Sequence, residues 1–129
     1  MEDILITNNI NVKESYYEKI NVVMVESLML MDVLIEVRNH VHRNYKILTH
    51  PLSGSVKPNE TPYKSVLLRR GSGLDFESLS MIENAISVTE KLYLSKEPKK
   101  WDENILLDFR VIDYNLISSG IESMVIKKI

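Results

Sequence analysis

The chain has 129 residues, of which 44% are apolar and 26% are charged. This length fits a single domain spanning 1–129, and the composition is that of a globular protein rather than a disordered one. The 16 basic and 18 acidic residues give a net charge of −2, so we expect no nucleic-acid partner, because no broad basic field is available to hold its backbone. The absence of cysteine excludes disulfides, a thiolate nucleophile and thiolate metal ligands.

Neither a targeting segment nor a membrane span is predicted. The chain begins with the acidic pair Glu2 and Asp3 and lacks the positive charge and apolar run of a signal peptide. The most apolar stretch, 20–31, is interrupted by three polar residues, whereas a membrane helix needs roughly 20 mostly apolar ones. We therefore expect a cytoplasmic protein with no membrane partner.

The first 50 residues alternate between strand and helix patterns. The short apolar runs 4–6, 22–25 and 45–49 have strand length. Between them lie a short helix with an apolar face from Val12 to Ile20 and a longer helix over 28–43. Leu30, Leu34, Val37 and Val41 lie on one face of the longer helix, and Asn44 is the candidate left-handed residue that ends it. This alternation favours parallel strands with helices packed against them. We predict a small three-layer α/β fold with a mostly parallel sheet of about four strands and helices on both faces.

The second half predicts a strand over 65–69, a helix over 75–94 and a final helix from Asp102. In the final helix Ile105, Phe109, Ile112 and Leu116 form an apolar stripe, and Ile117 and Ile121 continue the helical spacing. Asp108 and Asp113 are expected at the surface. The pattern leaves open whether the last ten residues continue the helix or form a strand.

Polar residues follow each of the first three predicted strands: Asn8 and Asn9, Glu26 and Ser27, and then Thr49 and His50. The carboxyl ends of parallel strands share one edge of a sheet, where ligands commonly bind. We therefore expect these residues to converge. The alternative role for Asn8 and Asn9 is to cap the following helix.

The segment 50–64 has no apolar periodicity and contains three prolines. A connection this long without secondary structure is usually functional or disordered. Its glycine lets a ligand come close to the backbone, and its hydroxyl groups and lysines can bind a small anion such as a carboxylate or phosphate. The spacing of a P-loop is not present. His50 is the candidate acid or base; its alternative is a strand-end cap. No metal site and no cofactor are predicted. The candidate ligand-binding residues are Asn8, Asn9, Thr49, His50, Ser53, Gly54, Ser55, Lys57 and Lys64.

The segment 48–65, LTHPLSGSVKPNETPYKS, resembles the GrdX family. The strand 4–9, which ends in Thr-Asn-Asn, is also similar to that family, and the resemblance extends to about residue 94. It implies a small accessory protein of the glycine, sarcosine and betaine reductase systems of amino-acid-fermenting anaerobic bacteria, with reductase components as possible partners. Those reductases use thiol and selenol chemistry. This chain has neither group, so it is not a redox component of that type.

Three functions remain open from the sequence. The first is an accessory protein that binds a small anionic metabolite through the loop 49–65. The second is a small enzyme with His50 as acid or base and Ser53 or Ser55 as nucleophile. The third is a protein-interaction module without a small-molecule site. A homo-oligomer is possible but has no sequence marker.

Overall fold

The computed structural model describes residues 2–52 and 57–127. In these residues the chain forms four strands and four helices, close to the elements that the sequence predicts. They are β1 (Asp3–Thr7), α1 (Ile10–Tyr16), β2 (Asn21–Met24), α2 (Leu30–Val41), β3 (Tyr45–Ile47), β4 (Ser65–Arg70), α3 (Phe76–Ser95) and α4 (Glu103–Lys127).

The sheet is mixed, so the prediction of a mostly parallel sheet is wrong. Its strand order is β2-β1-β4-β3. Only the β1–β2 pair is parallel, whereas β4 is antiparallel to both β1 and β3. A parallel pair needs a crossover that returns the chain to the starting edge, usually through a helix. The connection from β3 to β4 contains no helix in its described residues. Strand β4 therefore starts at the same edge of the sheet at which β3 ends, and the two strands are antiparallel.

This topology still brings the predicted strand exits together. Since β4 is antiparallel to its two neighbours, β1, β2 and β3 all point the same way. Their carboxyl ends therefore share one edge with the start of β4, and we call this edge the exit edge. At the exit edge the side chain of Asn8 donates a hydrogen bond of 3.0 Å to the carbonyl of Ser27.

Alternate residues of β1 belong to two different apolar clusters. Ile4 and Ile6 pack with buried residues of α2 and α3. Leu5, which lies between them, packs with Val12 of α1 and Ile117 of α4. Successive side chains of a strand point to opposite faces, so this short strand contributes to both clusters. The four residues of α2 that the periodicity placed on one face are all buried: Leu30, Leu34, Val37 and Val41.

Helix α4 packs on the sheet through a face other than the stripe of Ile105, Phe109, Ile112 and Leu116. Ile112 and Leu116 of the predicted stripe are 42% and 45% exposed, whereas Ile117 and Ile121 contact the core. Apolar residues occur almost all round this helix, so their spacing does not select a face. The last described residues continue the helix to Lys127. In the described part of the chain, no helix is long and apolar enough to cross a membrane.

Candidate functional site

Asn8 links three segments at the exit edge. Its Nδ2 donates to the carbonyl of Ser27 at 3.0 Å and to that of Pro62 at 2.7 Å. Its Oδ1 accepts a 3.0 Å hydrogen bond from the backbone N–H of Lys64. The amide is buried and uses both its donor and its acceptor on backbone groups, so it positions the residues around Lys64.

Asn9 has the helix-capping role that the sequence offered as its alternative. It is the N-cap of α1, and its Oδ1 accepts from the backbone N–H of Asn11 at 3.1 Å. Its Nδ2 reaches across to α4, where it donates to Oδ2 of Asp113 at 3.0 Å and to the carbonyl of Arg110 at 2.9 Å. The N-terminus of α1 is thereby attached to the middle of α4.

A chain of hydroxyls ends at the same carboxylate. Ser65 donates to Oδ2 of Asp113 at 2.7 Å, and the hydroxyls of Thr7 and Ser65 are 2.6 Å apart. Because the single hydroxyl proton of Ser65 goes to Asp113, Thr7 is the donor to Ser65. Thr7 also accepts from the backbone N–H of Asn9 at 3.0 Å. All four side chains are buried.

Asp113 is therefore a core residue, and the prediction that it lies at the surface is wrong. It is only 3% exposed. Burial raises the pKa of its carboxyl above the ordinary value, and the hydrogen bonds from Asn9 and Ser65 offset only part of this effect. Both hydrogen bonds are accepted by Oδ2, so Oδ1 can carry a proton without breaking either of them.

Lys64, a predicted ligand-binding residue, is also buried, with 8% of its surface exposed. Burial lowers the pKa of its ammonium group, and the attraction of the Asp113 carboxylate offsets this only in part. The shifts of Lys64 and Asp113 therefore both favour the uncharged form of the side chain. Lysine is almost never buried to this degree unless it is paired.

Lys64 and Asp113 line a pocket of about 210 Å³ at the exit edge, which we call the Lys64 pocket. Thr49 and His50 line it as well, so the structure brings three of the predicted site residues together. Its remaining lining residues are the one that follows β3, the first of β4 and five of α4: Leu48, Ser65, Leu116, Ile117, Gly120, Ser123 and Met124.

Thr49 and Gly120 determine how closely α4 approaches the end of β3. The hydroxyl of Thr49 accepts a 2.8 Å hydrogen bond from the backbone N–H of Leu67. A Cβ atom at Gly120 would lie 3.1 Å from the methyl carbon of Thr49. Glycine at this position therefore lets the helix backbone form one wall of the Lys64 pocket.

His50 lies at the exposed side of the pocket. Its Nδ1 accepts a 3.0 Å hydrogen bond from the backbone N–H of Leu52. A neutral imidazole that accepts at Nδ1 carries its proton on Nε2. Ser53, Gly54 and Ser55 lie outside the described residues. The predicted pairing of His50 with a loop serine therefore lies outside them as well.

Most of the described residues of the proline-containing loop are packed against the protein. Trp101 donates from Nε1 to the carbonyl of Glu60 at 2.7 Å, and Arg110 donates to the hydroxyl of Tyr63 at 2.7 Å. Lys57 is exposed and does not line the Lys64 pocket. The structure thus separates the two lysines of the predicted set.

Two residues of the site, Ser65 and Asp113, were not among the predicted set. Ser65 is the first residue of a predicted strand, and nothing in the neighbouring sequence marks such a residue as part of a site. Asp113 does have a weak signal: it precedes Ile117 and Ile121 at helical spacing, on the face that packs against the core. Among the described residues no group of three or more His, Cys, Asp or Glu is arranged to hold a metal ion.

Comparison with known proteins supports the resemblance seen in the sequence. The profile of the GrdX-like protein family matches residues 4–122, which is most of the chain and extends well into α4. No curated protein and no solved structure shows significant similarity to it. The chain therefore belongs to the GrdX-like protein family.

Proposed function

We propose that this protein is a cytoplasmic accessory component of the glycine, sarcosine and betaine reductase systems that binds a small anionic metabolite in the Lys64 pocket. Membership of the GrdX-like family supports the link to these systems. The pocket supports the binding role, because it joins the amine of Lys64 to hydroxyl and imidazole groups at an open edge of the sheet.

One observation carries the binding proposal: Lys64 is buried yet lines an open pocket. Burying an ammonium group costs free energy unless the charge is paired, and a nearby surface position would avoid that cost. A carboxylate or phosphate in the pocket would provide a second anionic partner and accept hydrogen bonds from the amine. The position of Lys64 at the wall of the pocket thus supports the binding proposal.

The chain itself limits the role that the protein has in the system. It contains no cysteine, so it offers no thiol for a redox step. The pocket is also lined by apolar residues such as Leu116 and Met124. These features favour sensing or delivery of a small metabolite over participation in electron transfer.

Isothermal titration calorimetry with glycine, sarcosine, betaine and acetyl phosphate tests this proposal. We expect at least one of them to bind wild-type protein, and at 100 times its Kd it should stabilise the fold by about 2.7 kcal/mol. Lys64→Met should abolish this binding. The matched control is Lys91→Met, which changes an exposed lysine of α3 and should bind as wild type does. Binding by none of the four compounds, or equal binding by both variants, would contradict the proposal.

A second candidate function is docking of a reductase component on the outer side of α4. Ile105 and Ile112 lie on one stripe of this helix and are 36% and 42% exposed. Exposed apolar side chains that adjoin one another often mark a protein interface. A glutamate at the centre of such an interface would weaken it strongly.

Pull-down with purified reductase components tests this docking function. Ile112→Glu should reduce capture, whereas Leu94→Glu, at an exposed position of α3, should not. Size-exclusion chromatography of the protein alone shows whether the stripe instead pairs two copies of the chain. Equal capture by both variants would argue against α4 as the docking surface.

A further inference from the structure

Lys64 combines three features of a nucleophilic amine. It is 8% exposed, it lines an open pocket of about 210 Å³, and the carboxyl group of Asp113 lines the same pocket. Enzymes that use a lysine to attack carbonyl groups activate it by desolvation in this way. We propose that Lys64 forms an imine with a small 2-oxo acid in the Lys64 pocket, with Asp113 carrying the protons.

This inference rests on the proposed function, because the carboxylate of the 2-oxo acid is the anionic group that the pocket binds. It adds a covalent step to reversible binding. A 2-oxo acid presents a carbonyl carbon next to its carboxylate, so one small molecule meets both requirements. Thr49 and His50 line the pocket with Lys64 and offer polar groups to the carboxylate.

Burial distinguishes Lys64 from an exposed lysine. An exposed amine has a pKa near 10.4, so only roughly one molecule in 2,500 is neutral and nucleophilic at pH 7. Burial lowers the pKa of Lys64, and this effect outweighs the attraction of Asp113. The neutral amine is therefore more populated at Lys64 than at an ordinary exposed lysine.

Asp113 is suited to the proton transfers because burial raises its pKa. The reaction begins with the neutral amine and the protonated carboxyl group. The nitrogen lone pair of Lys64 attacks the carbonyl carbon, a C–N bond forms, and the carbonyl π electrons move to oxygen, which takes the proton of Asp113. The nitrogen then returns a proton to the Asp113 carboxylate, leaving a neutral carbinolamine.

Dehydration completes the step. Asp113 protonates the carbinolamine hydroxyl, which leaves as water while the nitrogen lone pair forms the C=N bond. The products are a protonated imine on Lys64, one water molecule and the Asp113 carboxylate, so atoms and charge balance. Asn9 and Ser65 hold Oδ2 of that carboxylate throughout. The apolar side chains of Leu116 and Ile117 line the same pocket and limit the return of water.

Reductive trapping tests the inference on the full-length protein. The protein is incubated with pyruvate and sodium cyanoborohydride at neutral pH, and hydride from the reagent converts any imine to a stable secondary amine. Intact mass and peptide mapping then locate the adduct. We expect a single adduct on Lys64, formed at least ten times faster than on any other lysine. Lys64→Met should lose this adduct, and Lys91→Met should retain it.

Asp113→Asn separates the nucleophile from the proton carrier. We expect the adduct to remain on Lys64 but to form at least ten times more slowly, because general acid–base catalysis typically contributes a factor of about 10² or more. An unchanged rate would overturn the role of Asp113. Adducts spread evenly over the surface lysines of the wild-type protein would overturn the role of Lys64, and this outcome needs no variant to fold.

Calorimetry with lactate keeps this inference distinguishable from the proposed function. Lactate has the carboxylate of pyruvate but a hydroxyl in place of its carbonyl. Lactate binding without an adduct from pyruvate would leave anion binding standing and overturn the imine. A Lys64 adduct without lactate binding would support the imine and contradict stable anion binding. If neither is seen, both proposals fail.

Discussion

The hydroxyl of Ser65 donates a 2.7 Å hydrogen bond to Oδ2 of Asp113. This contact joins the first residue of β4 to the buried side of α4, 48 residues further along the chain. Lys64, the residue before Ser65, is thereby held beside the same carboxyl group. The Lys64 pocket thus depends on a contact between two side chains that the sequence analysis did not connect.

Removing the Asp113 carboxyl group should destabilise the protein more than neutralising it. Asp113→Asn keeps an oxygen that can accept from Ser65 and Asn9, whereas Asp113→Ala removes this acceptor from the core. An unsatisfied buried group costs about 1–3 kcal/mol. We expect the alanine variant to be less stable than the asparagine variant by about 2 kcal/mol in urea unfolding. Equal stability of the two variants would show that the acceptor contributes nothing.

The stability contributed by Lys64 should rise with pH. Its folded pKa is lowered from 10.5, mainly by burial, so below 10.5 the unfolded chain binds more protons at this position than the folded one. The free energy of unfolding therefore increases as pH rises from the folded pKa towards 10.5. Urea unfolding of wild type and Lys64→Met is measured across this pH window. The difference between their free energies of unfolding at each pH gives the contribution of Lys64. A difference that stays constant or falls with pH contradicts the prediction.

Asp113 should show the opposite dependence in the acidic range. Its folded pKa is raised above 3.8 by burial, so the folded state holds the proton to higher pH than the unfolded chain does. The resulting stability is fully present below 3.8 and is lost as pH rises through the folded pKa. Compared with Asp113→Asn, wild type should therefore lose relative stability as pH increases from 3.8. Chemical unfolding of both proteins between pH 3.5 and neutrality, in steps of about half a unit, measures this.

Asn8 should be among the most sensitive polar positions of the chain. Its side chain makes three hydrogen bonds to the backbone of Ser27, Pro62 and Lys64, and each is worth about 1 kcal/mol. We expect Asn8→Ala to lower the free energy of unfolding by about 3 kcal/mol. Asn8→Asp should cost at least as much at neutral pH, because it places a carboxylate oxygen against two carbonyls. A loss below about 1 kcal/mol for both variants would refute the positioning role.

Gly120 offers a test of the fit between α4 and β3. Alanine in a helix interior is favoured over glycine by about 1 kcal/mol, but here its Cβ would lie 3.1 Å from Cγ2 of Thr49. We expect the two effects nearly to cancel in Gly120→Ala. In the Thr49→Ser background the methyl group is absent and the hydroxyl bond to Leu67 remains, so the same change should stabilise by about 1 kcal/mol. Thermal unfolding of the four proteins of this cycle gives the coupling.

The local pattern was sufficient to predict most elements of this fold. The stripe of Leu30, Leu34, Val37 and Val41 predicted α2 and its buried face, because these apolar residues recur at helical spacing. The short apolar runs predicted the strands for a similar reason. Asn44 was predicted to end α2 in a left-handed conformation, and its φ of 73° confirms this, since asparagine tolerates that region better than most residues.

The amino-acid sequence thus predicted the helices, the ends of the strands and the polar loop, because each of these depends on residues that are close together in the chain. The antiparallel pairing of β4, the packed face of α4 and the burial of Asp113 were decided only by tertiary structure. Each of these depends on residues far apart in the sequence, and α4 has apolar residues on nearly every side. Lys64 was a candidate from its loop, but its partner became visible only when α4 was packed against the sheet.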